Sequence, residues 1–242
     1  LWIVGQIPSK LIGKGTGQLH ELPDQLGIAK SLTKWAARIK NPEDTPQIIK
    51  EAFRQCNTGR RGPVEIEMAL DIMREKREVQ PIDPPDNFYV KKPNSDFIED
   101  AARLIGTSEN PLIFAGGGAV NAGSELLSFA NLIQAPVVMS RGALGVIDSR
   151  EPLALTSPHG HRLWKDADAV IAIGTRMVPM LPTWGTDDSL KIIRIDVDPK
   201  EITRSSIPEV SIESDAALAL SALCDATPKY NRRRHDRSEE MN

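Results

Sequence analysis

The sequence predicts an α/β protein: a doubly wound, parallel, Rossmann-like domain in its second half, preceded by the C-terminal part of another parallel α/β domain. Three observations carry this expectation. Short, near-continuous apolar runs recur from residue 112 to residue 212, most are separated by segments of helical period, and three glycines follow directly on the first run, in Pro111-Leu112-Ile113-Phe114-Ala115-Gly116-Gly117-Gly118-Ala119-Val120. Strands without polar alternation are those covered on both faces of a parallel sheet. The right-handed crossover rule then makes the sheet doubly wound.

Residues 1–73 form the first block. Leu1-Trp2-Ile3-Val4-Gly5 reads as an opening strand. It lacks an initiator methionine, a basic leader and a cleavage-site pattern, so it is no signal peptide and we expect a fragment of a longer protein. Ile12-Gly13-Lys14-Gly15-Thr16-Gly17 is a glycine-punctuated loop without the spacing of a phosphate-binding P-loop. Thr33-Lys34-Trp35-Ala36 reads as a surface segment. A helix is predicted from Thr45-Pro46 to about Cys56, with Thr45 as N-cap, Pro46 in the first turn, and Ile48, Ile49, Ala52 and Phe53 on its apolar face. Gly62-Pro63 leads into an alternating strand, Val64-Glu65-Ile66-Glu67-Met68. Two strands and one helix enclose too little core to stand alone, so this block reads as the tail of a larger domain.

Residues 74–95 read as a connector, a mixed charge run followed by Pro81, Pro84, Pro85 and Pro93. Residues 96–227 form the complete doubly wound domain, opening on a helix from Asp96 to Ile105. Its predicted strands are Leu112–Ala115, Pro136–Met139, Ala169–Ile173, Ile192–Asp196 and Val210–Ile212. Helical patterns are predicted at Ser124–Ile133, about 160–166, Pro199–Arg204 and Asp215–Cys224. Residues 228–242, with Arg232-Arg233-Arg234-His235 and Ser238-Glu239-Glu240, read as a solvated exit linker.

Composition excludes several functions. The formal charge of −3 offers nucleic acid or an anionic membrane no electrostatic footing. No apolar run approaches the ~20 residues of a membrane-spanning helix. The two cysteines, Cys56 and Cys224, are far apart and read as reduced thiols of a cytoplasmic protein.

Ligands of doubly wound sheets bind beyond the carboxyl ends of the strands. Those positions hold Gly116, Gly117 and Gly118, then Ser140-Arg141-Gly142, then Gly174-Thr175-Arg176, then Asp196-Val197-Asp198. Glycines allow close approach, arginine suits phosphate and an acid suits ribose hydroxyls, so the set fits a dinucleotide-like ligand. Salt bridges and helix caps account for the same residues, and Asp198-Pro199 is itself a cap pair. The acid that an NAD site places about 20 residues past the glycines is replaced by Ser140 and Arg141. His159-Gly160-His161 lacks a third metal ligand at readable spacing.

Taken in order, these motifs resemble the thiamine-diphosphate-dependent enzymes of the acetolactate synthase, benzoylformate decarboxylase and pyruvate decarboxylase family. Gly5-Gln6-Ile7-Pro8 with Ile12-Gly13, Leu19-His20-Glu21 with Asp24-Gln25, and Thr33-Lys34 are similar to runs late in that family's pyrimidine-binding domain. Ala52-Phe53, Gly59-Arg60-Arg61-Gly62-Pro63-Val64 and Asp71 resemble its closing helix and strand. Gly116-Gly117-Gly118, Gly174-Thr175-Arg176 and Asp196-Val197-Asp198-Pro199 with Glu201-Ile202 resemble signatures of its central domain.

The resemblance implies a parent acting on 2-keto acids, by decarboxylation or carboligation, with thiamine diphosphate and magnesium, as a homodimer or homotetramer. It places the activating glutamate before this chain and the Gly-Asp-Gly motif after it, so the chain itself is expected to be inactive. His20 stands where acetolactate synthases carry a glutamine near the cofactor, and with Glu21 it forms a candidate acid–base pair. The central domain of such enzymes holds FAD, holds ADP or is purely structural. Gly116, Gly117, Gly118, His159, Gly174, Arg176 and Asp196 are its candidate cofactor contacts. Met177-Val178-Pro179-Met180 follows Arg176 where FAD-binding members carry Phe-Asp-Asp-Arg, which weighs against FAD. A non-enzymatic nucleotide-binding or assembly module is the competing reading. A sirtuin-like deacylase is excluded by the missing Cys-x-x-Cys pairs.

Overall fold

The computed structural model describes residues 1–85, 88, 90–178, 180–186, 189–231, 234, 236 and 237. Pro179 and, in the tail, Arg232, Arg233, His235, Ser238, Glu239 and Glu240 lie outside the described residues. The chain divides into two compact units, residues 1–89 and 90–242.

The first unit runs β1 (Trp2–Gln6), α1 (Gln25–Leu32), β2 (Trp35–Ile39), α2 (Thr45–Asn57), β3 (Val64–Ala69) and α3 (Leu70–Arg74). Its sheet is parallel in the order β1-β3-β2, with Ile3 opposite Ile66 on one side and Ala37 opposite Ile66 on the other. Ile39, Ala52, Val64 and Ile66 form a small core under α2, joined by Ile48 and Ile49.

Two expectations need correction here. Trp35-Ala36 is not a surface segment but the start of β2, and α1 was not anticipated at all. Three strands with helices therefore enclose a core where only two strands and one helix were expected. In addition, α2 begins at Thr45 itself, and Asp44 holds the cap position without a side-chain cap bond.

The second unit runs α4 (Ser95–Thr107), β4 (Pro111–Ala115), α5 (Gly123–Ile133), β5 (Val137–Met139), β6 (Ala154–Thr156), α6 (Ser157–Trp164), β7 (Ala169–Ile173), α7 (Met180–Trp184), β8 (Lys191–Asp196), α8 (Pro199–Ile202), β9 (Val210–Glu213) and α9 (Ala216–Ala226). All its strand pairs are parallel, in the order β6-β5-β4-β7-β8-β9. β4 and β7 are buried along their whole length, as unbroken apolar runs require. One face packs Ile113, Ile171 and Ile193 against α4, α5 and α9, through Ile105, Phe129 and Leu220. The other packs Leu112, Phe114 and Val170 beneath Trp164, Met177 and Leu181.

β6 and α7 were not expected, and α6 starts at Ser157, earlier than predicted. The described part of the tail is docked. Arg234 Nη2 donates to the carbonyls of Ile105 at 2.6 Å and Ser108 at 2.7 Å, where a wholly solvated linker was expected.

Candidate functional site

The strand order reverses direction between β4 and β7. β4, β5 and β6 step one way across the sheet, while β7, β8 and β9 step the other. This switch point opens a crevice at the carboxyl ends of parallel strands. The loops that meet there are Gly116-Gly117-Gly118 after β4 and Gly174-Thr175-Arg176 after β7.

These loops pack backbone against backbone. Gly116 N donates to Ile173 O at 2.9 Å, Gly118 N to Gly174 O at 3.1 Å, and Gly174 N to Ile195 O at 2.8 Å. A Cβ on Gly116 would lie 2.2 Å from Gly174 O, and one on Gly118 would lie 2.7 Å from Gly174 Cα. Gly174 has φ +55°, and its Cβ would meet Gly118 Cα at 2.4 Å. Three of the four glycines are thus required by the fold alone. Gly117 differs: the nearest neighbour of its Cβ would be Gly142 O at an ordinary 3.7 Å, and the residue is exposed, as Gly118 also is. Gly117–Ala119 form a 3-10 turn, and α5 starts only at Gly123. The glycines therefore do not open straight onto a helix N-terminus.

Arg176 is exposed, and its main chain is strapped from below. Its carbonyl accepts from Ser205 Oγ at 2.9 Å and from Arg194 Nη2 at 3.3 Å. Arg194 is 2% exposed, and its Nη1 donates to Glu201 O at 3.2 Å. Burial pulls its guanidinium below the usual arginine range, with Asp196 and Glu201 opposing. The sequence reading missed Arg194. Its signal was a lone charge inside the apolar run Ile192-Ile193-Arg194-Ile195, an arrangement that demands partners for the buried cation.

The acids at the end of β8 work as caps. Asp196 Oδ1 accepts from Asp198 N at 3.0 Å, and Asp198 Oδ1 accepts from Lys200 N at 3.0 Å at the start of α8. His159 is exposed on α6, with Nδ1 3.0 Å from Thr156 Oγ1. His161 packs against Trp184 with ring centroids 5.0 Å apart and the planes tilted by 43°. Two positions along a helix turn side chains by roughly 200°, so the two imidazoles diverge. Among the described residues, no group of three or more His, Cys, Asp and Glu could hold a metal ion.

In the first unit His20 is exposed, with φ +68°. Glu21 turns away to the preceding loop, accepting from Gln18 N at 2.9 Å and Thr16 N at 3.2 Å. Bonds from the Gln18 amide chiefly, and from others in that loop, hold its carboxyl below the ordinary value. The Thr33-Lys34 pair is structural: Thr33 Oγ1 donates to Ala29 O at 2.7 Å, and Lys34 Nζ donates to Gln55 O at 2.7 Å, closing the end of α2.

A cavity of about 270 Å³ lies at the opposite, amino end of β4, lined by Asn110, Pro111, Leu112, Leu163, Asp166, Ala167 and Arg237. None of the candidate catalytic or cofactor-binding residues lines it.

Strand order, parallel pairing and switch point define this unit as a doubly wound α/β domain whose glycine loops are closed on each other. Comparison with known proteins makes the assignment more specific. Residues 98–223 match the family model of the thiamine pyrophosphate enzyme central domain. The chain belongs to the thiamine pyrophosphate enzyme family.

Similar proteins include the acetolactate synthase large subunit of Corynebacterium glutamicum, 33% identical over 98% of this chain and 40% of that one. The probable acetolactate synthase large subunit of Methanocaldococcus jannaschii is 34% identical over 93% of this chain and 40% of that one. Chloroplastic acetolactate synthase 2 of Zea mays is 32% identical over 91% and 36%. A crystal structure of benzoylformate decarboxylase from Polynucleobacter necessarius superposes with a TM-score of 0.77 at 19% identity, covering 97% of this chain and 45% of that one. That likeness concerns the fold. The chain thus spans less than half the length of these relatives.

Proposed function

We propose that this chain is the scaffold portion of a thiamine-diphosphate-dependent 2-keto acid decarboxylase or carboligase. Residues 96–227 act as its central domain, residues 1–73 as the end of its pyrimidine-binding domain, and residues 74–95 and 228–242 as linkers. The observation carrying this reading is the closure of the switch point: Gly116 and Gly118 are filled by Gly174, so their presence needs no ligand. Thiamine diphosphate supplies carbanion stabilisation to such enzymes. The described residues do not fit its diphosphate–magnesium anchor, since they include no cluster of metal-ligating side chains. We assign that anchor, and the catalytic groups, to parts of the parent beyond this chain. Family membership supports a homodimer or homotetramer, and we place the parent in the cytoplasm; among the described residues no helix is long and apolar enough to cross a membrane.

A second reading has one observation in its favour. Gly117 is open, and Arg141 and Arg176 are exposed beyond the ends of β5 and β7, the two strands that flank β4, an arrangement able to meet the phosphates of FAD or ADP. The absorption spectrum of the purified parent, with an ADP titration, separates the two. The scaffold reading expects no flavin band and no saturable ADP binding. A flavin band, or ADP binding abolished by Arg176→Ala, would replace it with the nucleotide-holding one. Absence of any thiamine-dependent turnover of 2-keto acids would favour a non-enzymatic assembly module instead.

A further inference from the structure

The three-stranded sheet of the first unit contains a buried acid without a partner. Glu65 and Glu67 stand two positions apart on β3, hence on one face of it, and both are fully buried. β3 is the middle strand: Trp2 of β1 and Ala36 of β2 lie opposite Glu65, and Val4 and Arg38 lie opposite Glu67. Glu67 is well supplied. The Arg38 guanidinium bonds to it, Gln25 Nε2 of α1 donates at 2.9 Å, and Gln6 Nε2 of β1 donates at 3.5 Å. Neither oxygen of Glu65 has a hydrogen-bond partner.

An ionised carboxylate placed there would be both desolvated and unpaired, the costliest state for such a group. The charges that bear on it are Glu67 on its own strand and Arg38 on β2, and Arg38 is already engaged by Glu67. From β1 and α1, the groups facing the pair are the neutral amides of Gln6 and Gln25. Burial first, and the Glu67 charge second, push the Glu65 carboxyl up to about 7, against the pull of Arg38.

We propose that Glu65 is a proton-binding site built into this sheet: as a neutral acid it lets β1 and β2 close on β3, and its ionisation beside Glu67 loosens that pairing. The 1–89 unit is on this basis a pH-responsive element. An acid that holds its proton more tightly when folded stabilises the fold below its unfolded value, and loses that contribution as pH rises through the folded one. The window of loss therefore runs from the ordinary 4.5 up to about 7.

Amide hydrogen exchange of β1, β2 and β3 in the intact protein, corrected for intrinsic pH dependence, reads this directly. Protection should fall by roughly 70-fold between about pH 5 and pH 8, and Glu65→Gln should abolish that fall. Glu67→Gln removes the like charge and should shift the midpoint to lower pH, which keeps the idea testable if Glu65→Gln does not fold. An infrared difference spectrum should show a carboxylic acid C=O band at about pH 6 that is gone by about pH 8 and missing in Glu65→Gln. Identical exchange profiles for wild type and Glu65→Gln, an unmoved midpoint in Glu67→Gln, or no such band would each overturn the proposal.

Discussion

Gly174 and Gly117 border the same crevice and carry opposite expectations. Gly174→Ala would force an L-residue into φ +55° and drive its Cβ to 2.4 Å from Gly118 Cα. Strain and clash together should cost about 3 kcal/mol or more of stability. Gly117→Ala meets nothing nearer than 3.7 Å and should stay within about 0.5 kcal/mol of wild type. Urea denaturation of the two variants checks the pair. Equal costs would mean that the loops are not closed on each other as described. Beneath them, Arg194 shows how a residue remote from any surface shapes what the surface presents. Its guanidinium and Ser205 fix the Arg176 carbonyl, while the Arg176 side chain stays exposed.

At the scale of elements, caps set the helix starts. Asp215 Oδ1 accepts from Ala217 N at 3.0 Å and Leu218 N at 3.3 Å, opening α9, whose Leu220 and Leu223 are fully buried. Asp215→Ala should therefore cost about 1 kcal/mol, seen as a lower unfolding midpoint and faster exchange in the first turn of α9. The Asp198-Pro199 pair was legible, as were the strands Leu112–Ala115, Ala169–Ile173 and Ile192–Asp196, because long apolar runs and capping chemistry are local; Asp215 was read only as the first residue of a helix, which it caps instead. What was not legible depended on neighbours. β2 carries Arg38 at an inward position that only Glu67 of β3 makes tolerable, so its pattern looks like surface. β6 is three residues long, too short to show a period, and exists through its pairing of Leu155 with Val138. The glycine loops were read as candidate ligand contacts, while their packing supplies a reason of its own. Mutual packing of Gly116, Gly118 and Gly174 is a contact across the sheet, which no run of sequence displays.

For the whole molecule, the proposed function separates scaffold from chemistry. The second unit builds a complete parallel sheet in the order β6-β5-β4-β7-β8-β9, and its switch point is closed by backbone. In the first unit, the acid nearest in sequence to His20 is committed to its own loop through Gln18 and Thr16. Glu65, the strongly perturbed acid, is buried in the sheet with no hydrogen-bond partner for its carboxyl oxygens. On the scaffold reading proposed above, the parent's catalytic groups are expected outside these 242 residues. The most direct test is a calorimetric titration of thiamine diphosphate and magnesium into this chain, in a sample shown by cooperative thermal unfolding to be folded, beside the parent protein. Saturable binding to the parent with none to the chain is the predicted result; magnesium-dependent saturable binding to the chain alone would contradict it.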